Sequence, residues 1–178
     1  QIAILENAIA RYLSKNEIPG PMGSRHPSIA PFEAFKTKDS YIIIAAGNDK
    51  LFAKLCDVLK IPEASNDERF NSNSLRCENM DQLKEIFEKQ LNSKTTNEWV
   101  KEMEALKIPC GPIFNIKQAV ENPQVQERNM IVKSYHKIIG EFKSAGNPIK
   151  MSTYKDENTR GDVPDLDEHR EKIIKEFS

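Results

Sequence analysis

The run Gly23-Ser24-Arg25-His26-Pro27-Ser28 gathers a cation, an imidazole and a hydroxyl beside a glycine. Such a set can bind an anion, and binding groups concentrate on loops carried by rigid scaffolds. Composition alone reads the stretch equally well as a solvated linker. Cys110 lies between Pro109 and Pro112, next to Gly111. A thiolate on so rigid a turn would be a nucleophile, but no base is near it in sequence, so a buried structural turn is expected. Glu168-His169 offers an acid and a base, but adjacent residues on a helix point to different faces, and the carboxylate reads as a helix N-terminal charge. His26, His136 and His169 are too far apart in sequence to suggest a local zinc site, and none belongs to HExxH. Neither a GxGxxG nor a GxxxxGK phosphate cradle occurs.

These residues must be positioned by a series of short elements. Ile2, Leu5, Ile9 and Leu13 have helical spacing and predict a helix over 2–16. The chain starts inside that pattern, at Gln1, so the polypeptide is expected to extend upstream. Ile18-Pro19-Gly20-Pro21-Met22-Gly23 breaks helix and strand alike and reads as a linker. β-prone runs at 32–37 and 41–46, joined by Lys38-Asp39-Ser40, predict a hairpin. Gly47-Asn48 caps a helix whose Leu51, Phe52, Leu55, Cys56 and Leu59 form one apolar stripe, and Ile61-Pro62 ends it. A polar loop over 64–73 leads to a helix capped at Asn79, with Leu83, Ile86, Phe87 and Leu91 on one face. Thr95 and Glu98 form a capping box for a helix that buries Trp99, Met103 and Leu106.

Beyond Pro112 a short helix over 115–120 and another turn or two to Arg128 are expected. A second hairpin follows at 130–136 and 141–145, then a polar loop over 153–161 and an amphipathic helix over 167–177 carrying Ile173, Ile174 and Phe177. Helices and antiparallel pairs come in alternating groups, without the regular alternation of a parallel sheet, so the fold class is α+β.

Lysine and arginine total 26 against 27 acidic residues, interspersed in sign, which leaves no electrostatic footprint for nucleic acid. No apolar run approaches the roughly 20 residues of a membrane-spanning helix. Cys56, Cys77 and Cys110 are odd in number and form no CxxC pair, which points to a reducing, cytoplasmic compartment.

Six stretches carry a resemblance. They are Arg25-His26-Pro27-Ser28-Ile29-Ala30-Pro31-Phe32-Glu33-Ala34-Phe35, Ala45-Ala46-Gly47-Asn48-Asp49 with Leu51-Phe52 and Leu55-Cys56, and Ile108-Pro109-Cys110-Gly111-Pro112-Ile113. The others are Asn122-Pro123-Gln124-Val125, Gly146-Asn147-Pro148-Ile149 with Ser152, and the segment 164–170, similar to a PxLGEHT motif. In order and spacing the chain resembles the C-terminal portion of class III CoA-transferases, the superfamily that includes carnitine-CoA-transferases, formyl-CoA-transferases and methylacyl-CoA-racemases. It departs from the family pattern at Ser40, where a turn glycine is usual, and at Asp167 and Arg170 in the PxLGEHT segment.

The resemblance implies a helix and linker from a large Rossmann-like domain at 1–26, a small α+β domain at 27–111, and a segment at 112–178 that returns to complete the large domain. It implies an interlocked homodimer. It also implies transfer of CoA between an acyl-CoA and a carboxylic acid through an aspartyl intermediate, with CoA thioester as substrate and no separate cofactor. The nucleophilic aspartate is expected upstream, so no residue here is assigned a catalytic role. Gly23, Ser24, Arg25, His26 and Pro27 are the substrate-loop candidates, at the place where oxalate-specific members carry a glycine run. The single glycine argues against formyl or oxalate specificity and for a larger acyl group or a dicarboxylate such as succinate or glutarate, with Arg25 pairing with the acceptor carboxylate. A 2-methylacyl-CoA racemase and a non-catalytic fragment remain as alternatives.

Overall fold

The computed structural model describes residues 2–178. The chain divides into two compact units, Gln1–Ile113 and Phe114–Ser178.

The first unit begins with a 3-10 turn, Ile2–Leu5, that runs into helix α1 (Glu6–Lys15), closed by Asn16 in the left-handed conformation at φ 53. None of α1's residues is buried within its unit, and Leu13 is 76% exposed. Of the apolar stripe that predicted this helix, Ile2, Leu5 and Leu13 are exposed and only Ile9 is half-buried. Strands β1 (Phe32–Lys36) and β2 (Tyr41–Ala45) form the expected antiparallel hairpin, with Phe35 opposite Ile42 and Glu33 opposite Ile44. β3 (Cys110–Pro112) adds a third strand beside β2. The expected turn at Cys110 is thus a sheet edge, because the two prolines leave its backbone extended and free to pair with β2.

Asn48 caps α2 (Asp49–Val58) by accepting from the Leu51 amide. The loop expected over 64–73 is largely ordered as a 3-10 turn, Pro62–Ser65, with Phe70 fully buried beyond it and α3 (Asn73–Glu78) capped by Ser72. α4 (Met80–Leu91) follows directly. Asn79 does not cap it: its side-chain amide donates to the Arg69 and Leu75 carbonyls, closing α3 instead. The Thr95–Glu98 capping box opens α5 (Thr96–Ala105) as expected, but Leu106, expected inside, is 48% exposed past the helix end. Phe35, Phe52 and Phe87 meet in the core, with ring centroids 5.7 and 6.2 Å apart.

Arg76 is the largest fully buried side chain in this core. Its Nε donates to the Ala30 carbonyl at 2.8 Å and Nη1 to the Phe70 carbonyl at 3.0 Å, while Nη2 meets Asp49 at 2.7 Å. The guanidinium lies 4.5 Å from the Phe52 ring centroid. One cation thereby joins the lead-in to β1, the turn before α3 and the start of α2.

The second unit contains α6 (Ile116–Glu121), with an Asn115–Gln118 capping box, and α7 (Pro123–Glu127). β4 (Ile131–His136) and β5 (Gly140–Ala145) form an antiparallel pair. β6 (Thr159–Asp162) lies parallel to β4, inside the span expected to be loop. α8 (Arg170–Phe177) starts three residues later than expected. Gly146 is required sterically: a Cβ there would stand 2.1 Å from the Asn129 backbone oxygen. Val132 is 2% exposed, but Ile138, Ile149, Tyr154, Ile174 and Phe177 are all exposed, so this unit buries little apolar surface of its own.

Two outcomes follow. Arg76→Ala should destabilise the protein by about 3 kcal/mol or more in urea unfolding, because it leaves the Ala30 and Phe70 carbonyls without their donor around a void. Lys150 and Arg160 hold the Asp156 carboxyl down at about 2. A depressed carboxyl stabilises the fold above its unfolded pKa and loses that contribution as pH falls through its folded one. Asp156→Asn should therefore lower amide-exchange protection around Lys150 and Arg160 at neutral pH, and the deficit should vanish between roughly pH 4 and pH 2.

Candidate functional site

The candidate loop is tied to the outer edge of β1. Gly23, at φ 63, turns the chain, and the Arg25 amide donates to the Met22 carbonyl across that turn. The Ala34 amide donates to Ser24 Oγ at 3.0 Å, and the His26 amide donates to the Phe32 carbonyl at 2.9 Å. Residues 24–26 therefore cover the free edge of the sheet.

The imidazole of His26 stacks on Phe32, with centroids 5.3 Å apart and planes 9° apart, and Nδ1 accepts from the Ser28 amide at 3.2 Å. An accepting Nδ1 places the proton on Nε2 in the neutral ring, so this histidine shapes the turn into Pro27. Asn73 completes the support: its amide group donates to the Ser28 carbonyl and accepts from the Ala30 amide.

Arg25 reaches two carboxylates. Its Nε donates to Glu33 Oε1 at 3.0 Å and an Nη to Asp81 Oδ1 at 2.6 Å. Glu33 is 3% exposed, on the core face of β1 beside Phe35. A carboxylate there is tolerable only with partners, and Lys84 of α4 supplies the second: its Nζ lies 2.5 Å from Glu33 Oε2 and donates to the Ala34 carbonyl. Asp81 differs, with its side chain 87% exposed. The hydrogen bond from Arg25 is the main cause that draws the Asp81 carboxyl below its usual range, and the same bond raises Arg25.

These groups line a cavity of about 470 Å³ bounded by Pro21, Met22, Gly23, Ser24, Arg25 and Lys84, with Glu33 at its floor. Of the five candidate residues, Ser24 and His26 are bonded to β1, Arg25 to Glu33 and Asp81, and Gly23 supplies the turn before them. Pro27 follows as a half-buried spacer. Sequence reading missed Glu33, Lys84 and Asp81. The signal for Glu33 was available, because strand alternation puts it on the same side as Phe35. Lys84 and Asp81 come from a helix more than 50 residues away and carry no comparable signal.

Other candidates take structural roles. Cys110 Sγ packs toward the Val100 carbonyl at 4.0 Å, and burial pushes its thiol up. Cys77 is raised for the same reason, and burial drives Cys56 to about 12. Glu168 accepts from the Asp165 amide at 2.6 Å, and His169 precedes α8 without capping it through its side chain. Among the described residues no cluster of three or more His, Cys, Asp or Glu converges as a metal site, and no helix is long and apolar enough to cross a membrane. In the second unit a cavity of about 520 Å³ is lined by Lys150, Lys155 and Arg160, but these cations are engaged by Asp156 and Glu157.

The chain belongs to CoA-transferase family III, whose model matches residues 1–170. It is 37% identical over 177 residues to an acetyl-CoA:oxalate CoA-transferase of Acetobacter aceti, covering 99% of this chain and 44% of that protein. It is 33% identical over 176 residues to a human succinyl-CoA:glutarate CoA-transferase, covering 99% of this chain and 40% of that one. Among solved structures, a CaiB/BaiF family protein from Brucella suis superposes with a TM-score of 0.77 at 32% identity, over 99% of this chain and 45% of that chain. The chain thus spans less than half the length of these relatives.

At pH 8 iodoacetamide should leave Cys56 unmodified in the native protein and alkylate Cys110 more slowly than free cysteine, as read by peptide mass mapping. Rapid alkylation at Cys110 would reinstate it as a nucleophile.

Proposed function

We propose that this chain is the portion of a CoA-transferase that carries the small domain and the acceptor-side substrate loop. The observation that carries the reading is the match of residues 1–170 to CoA-transferase family III. The relatives named for oxalate and glutarate support a short dicarboxylate as the acceptor, and the single loop glycine favours a longer one such as glutarate over oxalate.

In this reading an aspartate upstream of the chain attacks the acyl-CoA thioester and expels CoA thiolate, leaving a mixed anhydride. The thiolate attacks the aspartyl carbonyl, releases the acyl group as its carboxylate and leaves an aspartyl-CoA thioester. The acceptor carboxylate then attacks the carbonyl of that thioester and expels CoA thiolate, giving a second mixed anhydride, and the thiolate attacks the acceptor carbonyl of the anhydride, releasing the aspartate carboxylate and the acceptor's CoA thioester. Such intermediates must be kept from water, and a loop ordered against a sheet edge is suited to covering them. Arg25 is the residue for the acceptor carboxylate, since a guanidinium matches the planar carboxylate geometry.

The domain reading belongs to the same proposal: residues 27–111 form the small domain, while 1–26 and 112–178 pack into a larger one within an interlocked homodimer. The largely bare apolar face of α1 and the thin core of the second unit support it. Three unpaired cysteines suit a reducing, cytoplasmic compartment.

The test uses the full polypeptide, upstream half included, in heavy water with a 2-methylacyl-CoA, succinyl-CoA and a panel of mono- and dicarboxylic acids. Mass spectrometry should find new acyl-CoA species without deuterium uptake, formed fastest with a dicarboxylate. Deuterium at the α carbon without acyl exchange would make the protein a racemase and overturn the proposal.

A further inference from the structure

Arg25 is held by two carboxylates of opposite character. Glu33 is buried and doubly engaged, by Arg25 Nε and by Lys84. Asp81 lies almost entirely in solvent and touches Arg25 through a single arm of the guanidinium. The remaining Nη of Arg25 donates to nothing among the described residues, and Arg25 lines the cavity together with Ser24 and Lys84. The inner bond fixes where the guanidinium sits. The outer bond occupies one of the N–H groups that a bidentate carboxylate would require.

Exchanging the outer partner costs little. Asp81 is exposed, so it is rehydrated on release, and an exposed ion pair is weak. Exchanging the inner partner would strand a carboxylate on the core face of the sheet. An incoming carboxylate can therefore replace Asp81 and leave the Glu33–Arg25–Lys84 framework intact.

We propose that Asp81 is a built-in competitor for the acceptor carboxylate: it holds the outer arm of Arg25 in the empty site and is displaced when a dicarboxylate enters the Gly23–Arg25 cavity. This rests on the reading that the loop receives the acceptor. Asp81 then sets the acceptor KM, because every acceptor carboxylate must displace an aspartate already in place.

The experiment measures acceptor and donor kinetics of the full-length enzyme with glutarate, oxalate and butyrate as acceptors. Asp81→Asn should lower the KM for glutarate roughly two- to fivefold and the KM for butyrate by a similar factor. Asp81→Glu should restore the wild-type KM. Arg25→Ala should raise the glutarate KM, and in that background Asp81→Asn should have no effect. An unchanged or higher KM in Asp81→Asn, or an equal effect with and without Arg25, would overturn the proposal even where Arg25→Ala weakens the acceptor. If Arg25→Ala itself leaves every acceptor KM unchanged, the underlying reading of the loop fails, which is a distinguishable result.

Discussion

A positive charge with no exposure to water stands at the centre of the first unit. The guanidinium of Arg76 would be intolerable there without partners, and the chain supplies two carbonyls, the Asp49 carboxylate and the face of Phe52. The partners come from three segments, the lead-in to β1, the turn before α3, and α2, so satisfying this one group fixes how those segments meet. The Ala30 carbonyl is the partner that matters for the site. It sets the chain's entry into β1, and with Asn73 bonding at Ser28 and Ala30 it fixes the far end of the Gly23-Pro27 loop. The near end is fixed by the β1 edge.

The same logic recurs at smaller scale. Glu33 is a carboxylate at a core-facing strand position, and it is stable there because a loop cation and a helix cation converge on it. Asp39, in the β1–β2 turn, accepts from the Thr96 amide and hydroxyl and from the Thr37 hydroxyl, which docks the turn onto the start of α5. The Thr96 backbone bond leads the causes that hold its carboxyl below the usual range. In each case buried polar groups, Glu33 in the first and the Thr37 and Thr96 hydroxyls in the second, have one arrangement that satisfies them, which favours a single packing of helices against the sheet. Hydrophobic burial by Phe35, Phe52, Phe87 and their neighbours supplies the bulk of the driving force but would tolerate other arrangements.

The second unit follows a different balance. Its strand pairing and caps are well formed, but most of its large apolar side chains face solvent. Backbone hydrogen bonding and local capping specify elements. They do not by themselves supply the buried area that holds a unit of this size together. α1 has the same character.

Elements governed by local chemistry were legible from the residues alone. The Thr95–Glu98 box, the Asn48 cap, both hairpins and the α+β class depend on side chains within a few positions of one another, and period-2 and period-3.6 patterning carries that information. The family resemblance was legible for the same reason, since it lies in short motifs and their order. What the residues did not disclose depends on partners far away in sequence. β3 becomes a strand because β2 offers it an edge, and β6 because β4 does. Arg76 reads as an ordinary helix cation until three distant groups surround it. Lys84 and Asp81 join the candidate loop only when α4 packs against β1. The sequence by itself determined the elements, their caps and the loop's chemical inventory. The tertiary structure decided which charges meet, because the energy of a buried ion depends on every group within a few ångströms and those groups are brought together only by the completed fold.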